Sequence, residues 1–345
     1  MLLPKVLTSI DLSPILALLP APRSPLPAPF YPFFLAAILD YLIGDPWGWL
    51  HPVQVMGWAI DRFTTTALKY LDRPLARRMA GVVLCWGLIL GTGGVTWLLV
   101  YSCDWLHPWL GTAVRSILLA SCFAGRSLRR AAEDVLAAIA TEDLDLARSQ
   151  LRMYVGRDTD KITIPEIDRA ILETVTENAI DGVMAPLFYA IVGMFIPAVG
   201  AVPLAMAYKA ASTLDSMVGY RREPYADLGW CSAKVEDVLT WLPCRLAVLT
   251  LSIISGKPLT VWRLCWRDAR QDPSPNSGWS ECAYAAALGV RVGGVNYYRG
   301  EVQNKPFLGD DLQPITAAII QQALNLTRYS FLLWLGLLAI VSIQT

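Results

Sequence analysis

The sequence predicts an all-α integral membrane protein with four to five membrane helices joined by helical cytoplasmic loops. Three observations support this prediction. Only 17% of the 345 residues are charged and 54% are hydrophobic, whereas soluble domains contain about 25% charged residues. The mean hydropathy is positive, at +0.42. Residues 79–103 form an uninterrupted uncharged run, which is longer than the ~20 residues that a helix needs to cross a bilayer.

Composition also limits the partners and the metals. The chain has 29 basic and 29 acidic side chains, so its formal net charge is zero. We therefore expect no nucleic-acid partner, because such binding draws its affinity from basic residues on phosphates. The seven cysteines are scattered and there are two histidines, so neither a disulfide framework nor a zinc site is predicted. A metal site would use carboxylates, which favours Mg²⁺ bound together with a phosphate-containing substrate.

The first part of the chain leads into the membrane. Residues 1–29 contain seven prolines, and we interpret them as a Pro-rich extension and not as a signal peptide. Residues 30–345 are interpreted as a single membrane-embedded domain. It begins with a short apolar segment, residues 30–44, which predicts a partial or tilted helix. Residues 79–103 are the clearest span, and residues 105–123 continue it into a helical hairpin that turns at His107 and Pro108.

Charged regions alternate with further apolar segments. Residues 125–181 mix arginines with acids and predict a soluble helical loop, cytoplasmic because basic residues precede the first strong span. Residues 182–208 are uncharged but contain prolines and glycines, so they form either one kinked span or a re-entrant pair of half-helices. Residues 238–256 form a span that carries one arginine, or they lie in the interface. Residues 257–314 are a polar loop and residues 329–345 a terminal span or anchor; no β signal or internal repeat is evident.

The strongest candidate for chemistry is an acidic stripe. Glu173, Glu177 and Asp181 follow one another at intervals of four, which places them on one face of a helix entered at Pro165. Like charges at this spacing repel one another, and apolar residues follow directly. A solvated acidic face is the alternative, but we favour a stripe that binds a cation.

Two further polar clusters flank apolar segments. Asp45 follows Gly44 at the end of the first apolar segment, where it is either a turn residue or a metal ligand. Lys209 and Asp215 emerge directly from the long uncharged segment, and Arg221 follows them. A lysine, an aspartate and hydroxyls at a membrane exit indicate an anion site with a second metal ligand, whereas positive-inside flanking explains the basic residues alone.

A fourth cluster combines a turn with a helix start. Ser274, Asn276, Ser277 and Gly278 precede an alanine-rich helix, so hydroxyls, an amide and backbone N–H groups would meet at its N-terminus. Such an arrangement binds phosphate, although a plain capping turn has the same sequence. The chain offers no Ser/His/Asp triad and no Cys/His pair. Phosphoanhydride-dependent chemistry fits these residues, while their spacing leaves the reaction itself open.

Taken in order, these clusters resemble the CobD/CbiB family of cobalamin biosynthesis, the adenosylcobinamide-phosphate synthases. The matching stretches are residues 40–46 with His51, then 155–158, 173–181, 208–220, 274–278 and 293–298. The resemblance covers about residues 30–300. The chain departs from the family pattern at Ser212, where we expect Asn, and at Asp272 and Pro273, where a His often precedes the turn.

The resemblance implies a multi-pass enzyme of the inner (plasma) membrane with a cytoplasmic active site. It would use ATP and Mg²⁺ to join the corrinoid adenosylcobyric acid to aminopropanol, or to its O-phosphate, through an amide bond. The lipid bilayer is a further expected partner, nucleic acid is not, and a homo-oligomer is left open.

We assign roles to the matching residues as hypotheses. The catalytic residues are Glu173, Glu177, Asp181 and Lys209. The residues that bind ATP are Lys209, Arg221, Ser274, Asn276, Ser277 and Gly278. The residues that bind the other substrates are His51, Asn178, Asn296 and Tyr298. The metal ligands are Asp45, Glu177, Asp181 and Asp215.

A transporter or membrane sensor on the same scaffold is the main alternative, because charged residues at membrane depth would also serve it. The long polar loops, residues 125–181 and 257–314, argue for the enzyme, since a simple transporter does not need them. A prenyltransferase-like intramembrane enzyme is a weaker alternative, and the lack of an Asp-Asp-x-x-Asp run argues against it.

Overall fold

Most of the described chain is helical, as the sequence predicts. The computed structural model describes residues 30–44, 51–220 and 222–344, so the Pro-rich extension (residues 1–29), Asp45 and Arg221 lie outside the described residues. The helices are α1 (Tyr31–Leu42), α2 (Pro52–Tyr70), α3 (Pro74–Leu106), α4 (Pro108–Ala120), α5 (Gly125–Ala140), α6 (Leu144–Arg152), α7 (Ile164–Ala179), a π-helix (Ile180–Met184), α8 (Ala185–Met194), α9 (Ala201–Val218), α10 (Trp230–Ile254), α11 (Pro258–Asp268), a 3₁₀ turn (Ala269–Gln271), α12 (Ser277–Leu288) and α13 (Ala317–Gln344). The strands are β1 (Val292–Tyr298) and β2 (Glu301–Leu308).

Three helices in the described part of the chain are long and apolar enough to cross a membrane. They are Pro74–Leu106, Trp230–Ile254 and the Ala317–Val341 portion of α13. The protein is thus a helical membrane protein, and three of its described helices meet this criterion, where the sequence predicts four to five membrane helices. The remaining apolar segments are split into helices that are too short, since α1 has 12 residues and α4 has 13, against the ~20 that a span requires.

The predicted turn at His107 and Pro108 is confirmed. His107 ends α3 with an extended backbone, and its Nδ1 accepts a hydrogen bond from the backbone N–H of Trp109 at 3.2 Å. Pro108 occupies the first position of α4, where its missing N–H leaves no helical hydrogen bond unmade. The terminal span is longer than predicted, because α13 begins at Ala317.

The long uncharged segment folds as two packed helices, α8 and α9, and not as one kinked span. The rings of Tyr189 in α8 and Tyr208 in α9 stack with their centroids 4.9 Å apart. At the turn, a side chain on Gly193 would collide with the carbonyl oxygen of Gly200, so only glycine permits this close approach. The structure thus favours the pair of half-helices over the single span. Because α8 and α9 run in opposite directions, the start of α8 and the end of α9 lie at the same end of this helical hairpin.

The core centres on α12, which contacts α7, α10 and α11. Every residue from Gly278 to Leu288 is buried, as expected for a helix that is apolar on all sides. Its many alanines allow the neighbouring helices to approach closely. The glutamate within it, Glu281, is therefore held inside the protein.

A β-hairpin interrupts the polar loop, so the expectation of no strand is wrong. β1 and β2 pair antiparallel, with Tyr298 opposite Glu301. The two residues between them, Arg299 and Gly300, both have positive φ, at 55° and 81°, as type I′ hairpin turns require. Alternating Val and Tyr residues before this turn were the available signal.

Candidate active site

The acidic stripe lies inside the protein. Glu173 is 1% exposed, and Glu177 and Asp181 are half-buried. Glu173 and Glu177 belong to α7, which begins with a capping box between Thr163 and Glu166. Asp181 lies in the π-helix that follows directly, whose wider turn changes the direction of its side chain relative to a continuing α-helix. The alternative of a solvated acidic face is therefore wrong.

Glu173 connects α7 to the β-hairpin. One carboxylate oxygen pairs with Arg157, and the other accepts the backbone N–H of Gly293 at 2.8 Å. Burial alone would raise its pKa, but the charges of Arg157 and Lys305 outweigh burial, and the pKa of Glu173 is lowered. Glu173 is an ionised carboxylate with both oxygens engaged. Its predicted catalytic role stays a prediction, while its anchoring role is visible.

Asn296 belongs to the same network. Its Oδ1 accepts hydrogen bonds from Arg157 at 2.8 Å and from Arg169 at 3.2 Å, and Arg169 also donates to the carbonyl oxygen of Gly293. The Nδ2 of Asn296 is buried and makes no hydrogen bond within the described residues. The N–H groups of this amide are thus donors to which an acceptor atom of a bound molecule would hydrogen-bond.

Lys305 on β2 brings a cation to the stripe. Its Nζ donates to Oε1 of Glu281 at 3.0 Å, while the other oxygen of Glu281 is buried without a hydrogen bond in the described structure. Burial raises the pKa of Glu281 to about 8, although Lys305 opposes this rise. Burial would lower the pKa of Lys305, but the charges of Glu281, Glu177 and Glu173 outweigh it and raise the pKa.

Glu177 interacts electrostatically with two separate sets of charged residues. On one side it interacts electrostatically with Lys305, Asp272 and Glu173. On the other side it acts on Asp181 and Asp215. Burial removes water from Glu177, and this is the largest effect on its pKa, which it raises. The neighbouring carboxylates raise the pKa further. Glu177 is therefore a carboxylate that takes up a proton readily.

The second group is an acidic cluster between the π-helix, α9 and α10. Asp181 interacts electrostatically with Glu236, Glu177, Asp215 and Lys209. Glu236 is 7% exposed and accepts a hydrogen bond from Thr240. Sequence reasoning missed Glu236, because it lies just before residues 238–256, which were interpreted as the span, and outside the polar clusters singled out in the sequence. Lys209 is half-buried and is the cation of this group.

The predicted metal ligands do not form a ready-made metal cage. In residues 30–44, 51–220 and 222–344, no group of three or more His, Cys, Asp or Glu side chains has the geometry to hold a metal. Mg²⁺ is usually bound by one or two carboxylates, with substrate phosphates and water supplying the other ligands. The electrostatic repulsion among Glu177, Asp181 and Asp215 is consistent with that partial type of site.

The predicted phosphate turn is arranged as a capping turn. The hydroxyl of Ser274 accepts the backbone N–H groups of Asn276 and Ser277, at 3.4 and 3.2 Å. Asn276 is buried, receives a hydrogen bond from Arg245 at 2.9 Å and donates to the carbonyl oxygen of Asp237 at 2.9 Å. A side chain on Gly278 would lie 2.7 Å from the carbonyl oxygen of Ala269. Two backbone donors are thus already used, and phosphate binding by this turn stays a prediction.

A cavity of about 500 Å³ adjoins the turn. Its walls include four tryptophans and two arginines, namely Trp241, Trp262, Trp266, Trp279, Arg245 and Arg270. The Arg270 guanidinium lies 3.6 Å from the ring centre of Trp266, and Arg245 lies 4.7 Å from that of Trp279. Asp272, which interacts with Glu177, also lines it. This Trp/Arg cavity suits a planar ligand that carries negative charge.

The other predicted binding residues are dispersed. His51 caps α2, where its Nδ1 accepts the backbone N–H of Val53 at 3.3 Å. Asn178 is exposed and donates to the carbonyl oxygen of Thr174 at 2.9 Å. Tyr298 is half-buried at the end of β1. Of the four, Asn296 is the residue that the structure brings into the network of Glu173.

The fold and the site define a helical membrane protein whose buried carboxylates, lysines and arginines form one charged centre beside an aromatic cavity. The chain belongs to the CobD/CbiB family of cobalamin biosynthesis proteins, because the family model described as CobD/Cbib protein matches residues 33–327.

Relatives of similar length support this assignment. The chain is 50% identical to the cobalamin biosynthesis protein CobD of Synechocystis sp. over 311 residues, which are 90% of this chain and 91% of the relative. It is 42% identical to the cobalamin biosynthesis protein CbiB of Salmonella arizonae over 297 residues, 85% and 91% of the two chains. It is 40% identical to the cobalamin biosynthesis protein CobD of Photorhabdus laumondii over 317 residues, 90% and 96%. No solved structure matches the chain significantly.

Proposed function

We propose that this protein is an ATP- and Mg²⁺-dependent ligase that joins adenosylcobyric acid to aminopropanol, or to its O-phosphate, through an amide bond. The observation that carries the proposal is the position of Glu177 between two charged groups, one with Lys305 and Glu281 and one with Asp181 and Lys209. Membership of a cobalamin biosynthesis family is the reason for proposing a corrinoid as the substrate.

The reaction sets requirements that these residues meet. A carboxylate is unreactive toward an amine at neutral pH, so the corrinoid carboxylate first takes the terminal phosphoryl group of ATP and ADP leaves. The amine then attacks the acyl phosphate, the C–N bond forms, inorganic phosphate leaves and the amine loses a proton. Glu177, with its raised pKa, is suited to accept that proton. Lys209 and Lys305 are suited to stabilise the negative charge that develops.

The donor set fits Mg²⁺ that enters with the nucleotide. Asp181 and Asp215 are the residues that would hold it, since oxygen ligands are the ones Mg²⁺ prefers. When bound, Mg²⁺ supplies charge neutralisation to the phosphates. The Trp/Arg cavity supports binding of the adenine base, because Trp262 and Trp266 present aromatic faces beside Arg270.

The α8–α9 hairpin supports a single site on one face of the membrane. Asp181 precedes α8, Asp215 lies near the end of α9, and the two interact electrostatically. A re-entrant hairpin returns the chain to the side it left, which is consistent with every cluster facing the same compartment. We propose that this compartment is the cytoplasm and that the protein lies in the inner membrane, since ATP is a cytoplasmic substrate.

The test is direct product detection. Purified protein in detergent is incubated with adenosylcobyric acid, ATP, Mg²⁺ and either aminopropanol or its phosphate, and the product mass is read by mass spectrometry. We expect an amide product and stoichiometric ADP. Asp181→Asn should reduce the rate by about 10²–10³. Glu166→Gln is the matched control, because Glu166 serves the capping box of α7, which glutamine also satisfies.

Two outcomes would overturn the proposal. Absence of amide product with folded protein and both amines would reject the ligase. Uptake of a corrinoid into proteoliposomes without ATP-dependent amidation would favour the transporter. Equal losses in Asp181→Asn and Glu166→Gln would show that the assay reports folding instead of chemistry.

A further inference from the structure

A second large cavity lies between α1, α5 and α13. Its volume is about 620 Å³, within the range of small-molecule sites. Most of its wall is apolar, with Phe34 and Ile38 from α1 and Phe331 and Leu335 from α13. None of the residues assigned to the proposed ligase reaction lines it. The cavity is therefore formed by residues that the proposed reaction does not use.

Three arginines gather at this cavity around the end of α1. Arg126 and Arg129 both donate to the carbonyl oxygen of Tyr41, at 3.1 and 3.0 Å. Arg129 and Arg328 lie over the ring of Tyr41, 4.5 and 5.1 Å from its centre. Asp40 accepts the backbone N–H of Arg126 at 3.4 Å. Arg129 also pairs with Glu133 at 3.8 Å. Each guanidinium has five N–H donors, so these contacts together still leave donors for an anion.

The polar and apolar parts of the cavity are separated along α13. Arg328 is the last charged residue of the chain, and residues 329–345 carry no charge. The wall residues that follow it, Phe331 and Leu335, belong to the uncharged portion of the candidate span that ends at Val341. The arginines thus lie at one end of the uncharged part of α13, and the apolar wall extends along that part of the helix.

We propose that this cavity binds one phospholipid with an anionic headgroup. The headgroup phosphate pairs with Arg126, Arg129 and Arg328, because guanidinium groups bind phosphate with two parallel hydrogen bonds. One acyl chain lies between α1 and α13. Basic pockets between membrane helices bind anionic headgroups in this manner. The occupant is a lipid and not a soluble phosphate, since a soluble phosphate would leave the apolar wall uncovered.

The site also touches the segment that carries Asp181. Val183 of the π-helix lines the cavity, and the backbone N–H of Ala124, just before α5, donates to the carbonyl oxygen of Gly182 at 2.8 Å. A lipid in the cavity therefore packs against the same π-helix that carries Asp181. Occupancy stabilises this segment whether or not the ligase assignment is correct.

Native mass spectrometry of the full chain in detergent tests the proposal. The delipidated protein is titrated with phosphatidylglycerol and with phosphatidylcholine of identical acyl chains. We expect one tightly retained phosphatidylglycerol and at least about fivefold weaker binding of phosphatidylcholine. Arg129→Gln and Arg328→Gln should each weaken phosphatidylglycerol binding about fivefold. Arg130→Gln is the matched control, because Arg130 is exposed on α5 and pairs with Asp134.

Several results would overturn it. Equal retention of the two lipids by the unchanged protein would reject the headgroup site, and this comparison needs no variant to fold. An equal loss in Arg130→Gln would reject the assignment to this cavity. Displacement of the lipid by glycerol phosphate alone would identify a soluble ligand instead. Because the readout is lipid binding, failure here leaves the ligase proposal standing, and the reverse is also true.

Discussion

Arg157 and Glu173 form a buried ion pair beneath the β-hairpin, with side chains 8% and 1% exposed. The same guanidinium donates to Asn296 at 2.8 Å. One arginine thus joins the loop before α7, the middle of α7 and strand β1. The pair fixes the hairpin, and with it Lys305, against the acidic stripe.

Removing the charge of Glu173 should therefore destabilise the protein. Glu173→Gln leaves the Arg157 guanidinium buried without a counter-ion, which typically costs about 3–5 kcal/mol. Thermal unfolding in detergent should show a markedly lower midpoint. If Glu173→Gln instead unfolds like the unchanged protein and loses amide-forming activity alone, Glu173 acts in the reaction and not as an anchor.

Glu177→Gln should have the opposite signature. The pKa of Glu177 is raised by loss of hydration and by neighbouring carboxylates, so folding destabilises its ionised form. The neutral glutamine removes this repulsion, and the unfolding temperature at pH 8 should stay equal or rise. Amide formation should fall about 10²–10³-fold. A variant that is both unstable and active would contradict this assignment.

The stability of the protein should depend on pH through Glu281. Burial raises its pKa from 4.5 to about 8, so between these values the folded protein holds a proton that the unfolded chain has released. The free energy of unfolding contributed by this group therefore falls as pH rises from about 4.5 to about 8, and it levels off above.

Glu281→Gln tests that dependence, because glutamine cannot ionise. Unfolding midpoints measured at intervals from pH 5 to pH 9 should fall less steeply in Glu281→Gln than in the unchanged protein. Parallel pH profiles would assign the dependence to other groups. The comparison is made within the pH range in which Lys305, whose pKa is raised, keeps its charge.

The membrane orientation can be checked by cysteine labelling without removing native cysteines, since all seven are buried. Ser149→Cys introduces a thiol at an exposed position before the α8–α9 hairpin, and Ser216→Cys introduces one at an exposed position near the end of α9. Both should react with a membrane-impermeant maleimide from the same side of inverted vesicles. Trp109→Cys, beyond the first span at a 66% exposed position, is the comparison for the far side. Labelling of Ser149→Cys and Ser216→Cys from opposite sides would reject the re-entrant hairpin.

The sequence predicted the local features well and the distant ones poorly. The helix entered at Pro165, the acidic stripe and the turn at His107 are local patterns, and each is present. The pairs Glu173–Arg157 and Glu281–Lys305 depend on how loops and strands return to α7 and α12. Helical spacing carries no information about such contacts. The β-hairpin was indicated only by the alternating Val and Tyr residues before the Arg299–Gly300 turn. Without the hairpin, there was no reason in the sequence to place Lys305 in the site.

The π-helix from Ile180 to Met184 sets the rotation of α8 relative to α7. A π-turn contains more residues than an α-turn, so it acts as a phase shift between α7 and α8. Deleting one residue that follows Asp181 within it would restore a single helical repeat and rotate all of α8 relative to α7. The extra residue thus lets the acidic face of α7 and the apolar face of α8 be oriented independently, although one continuous backbone carries both.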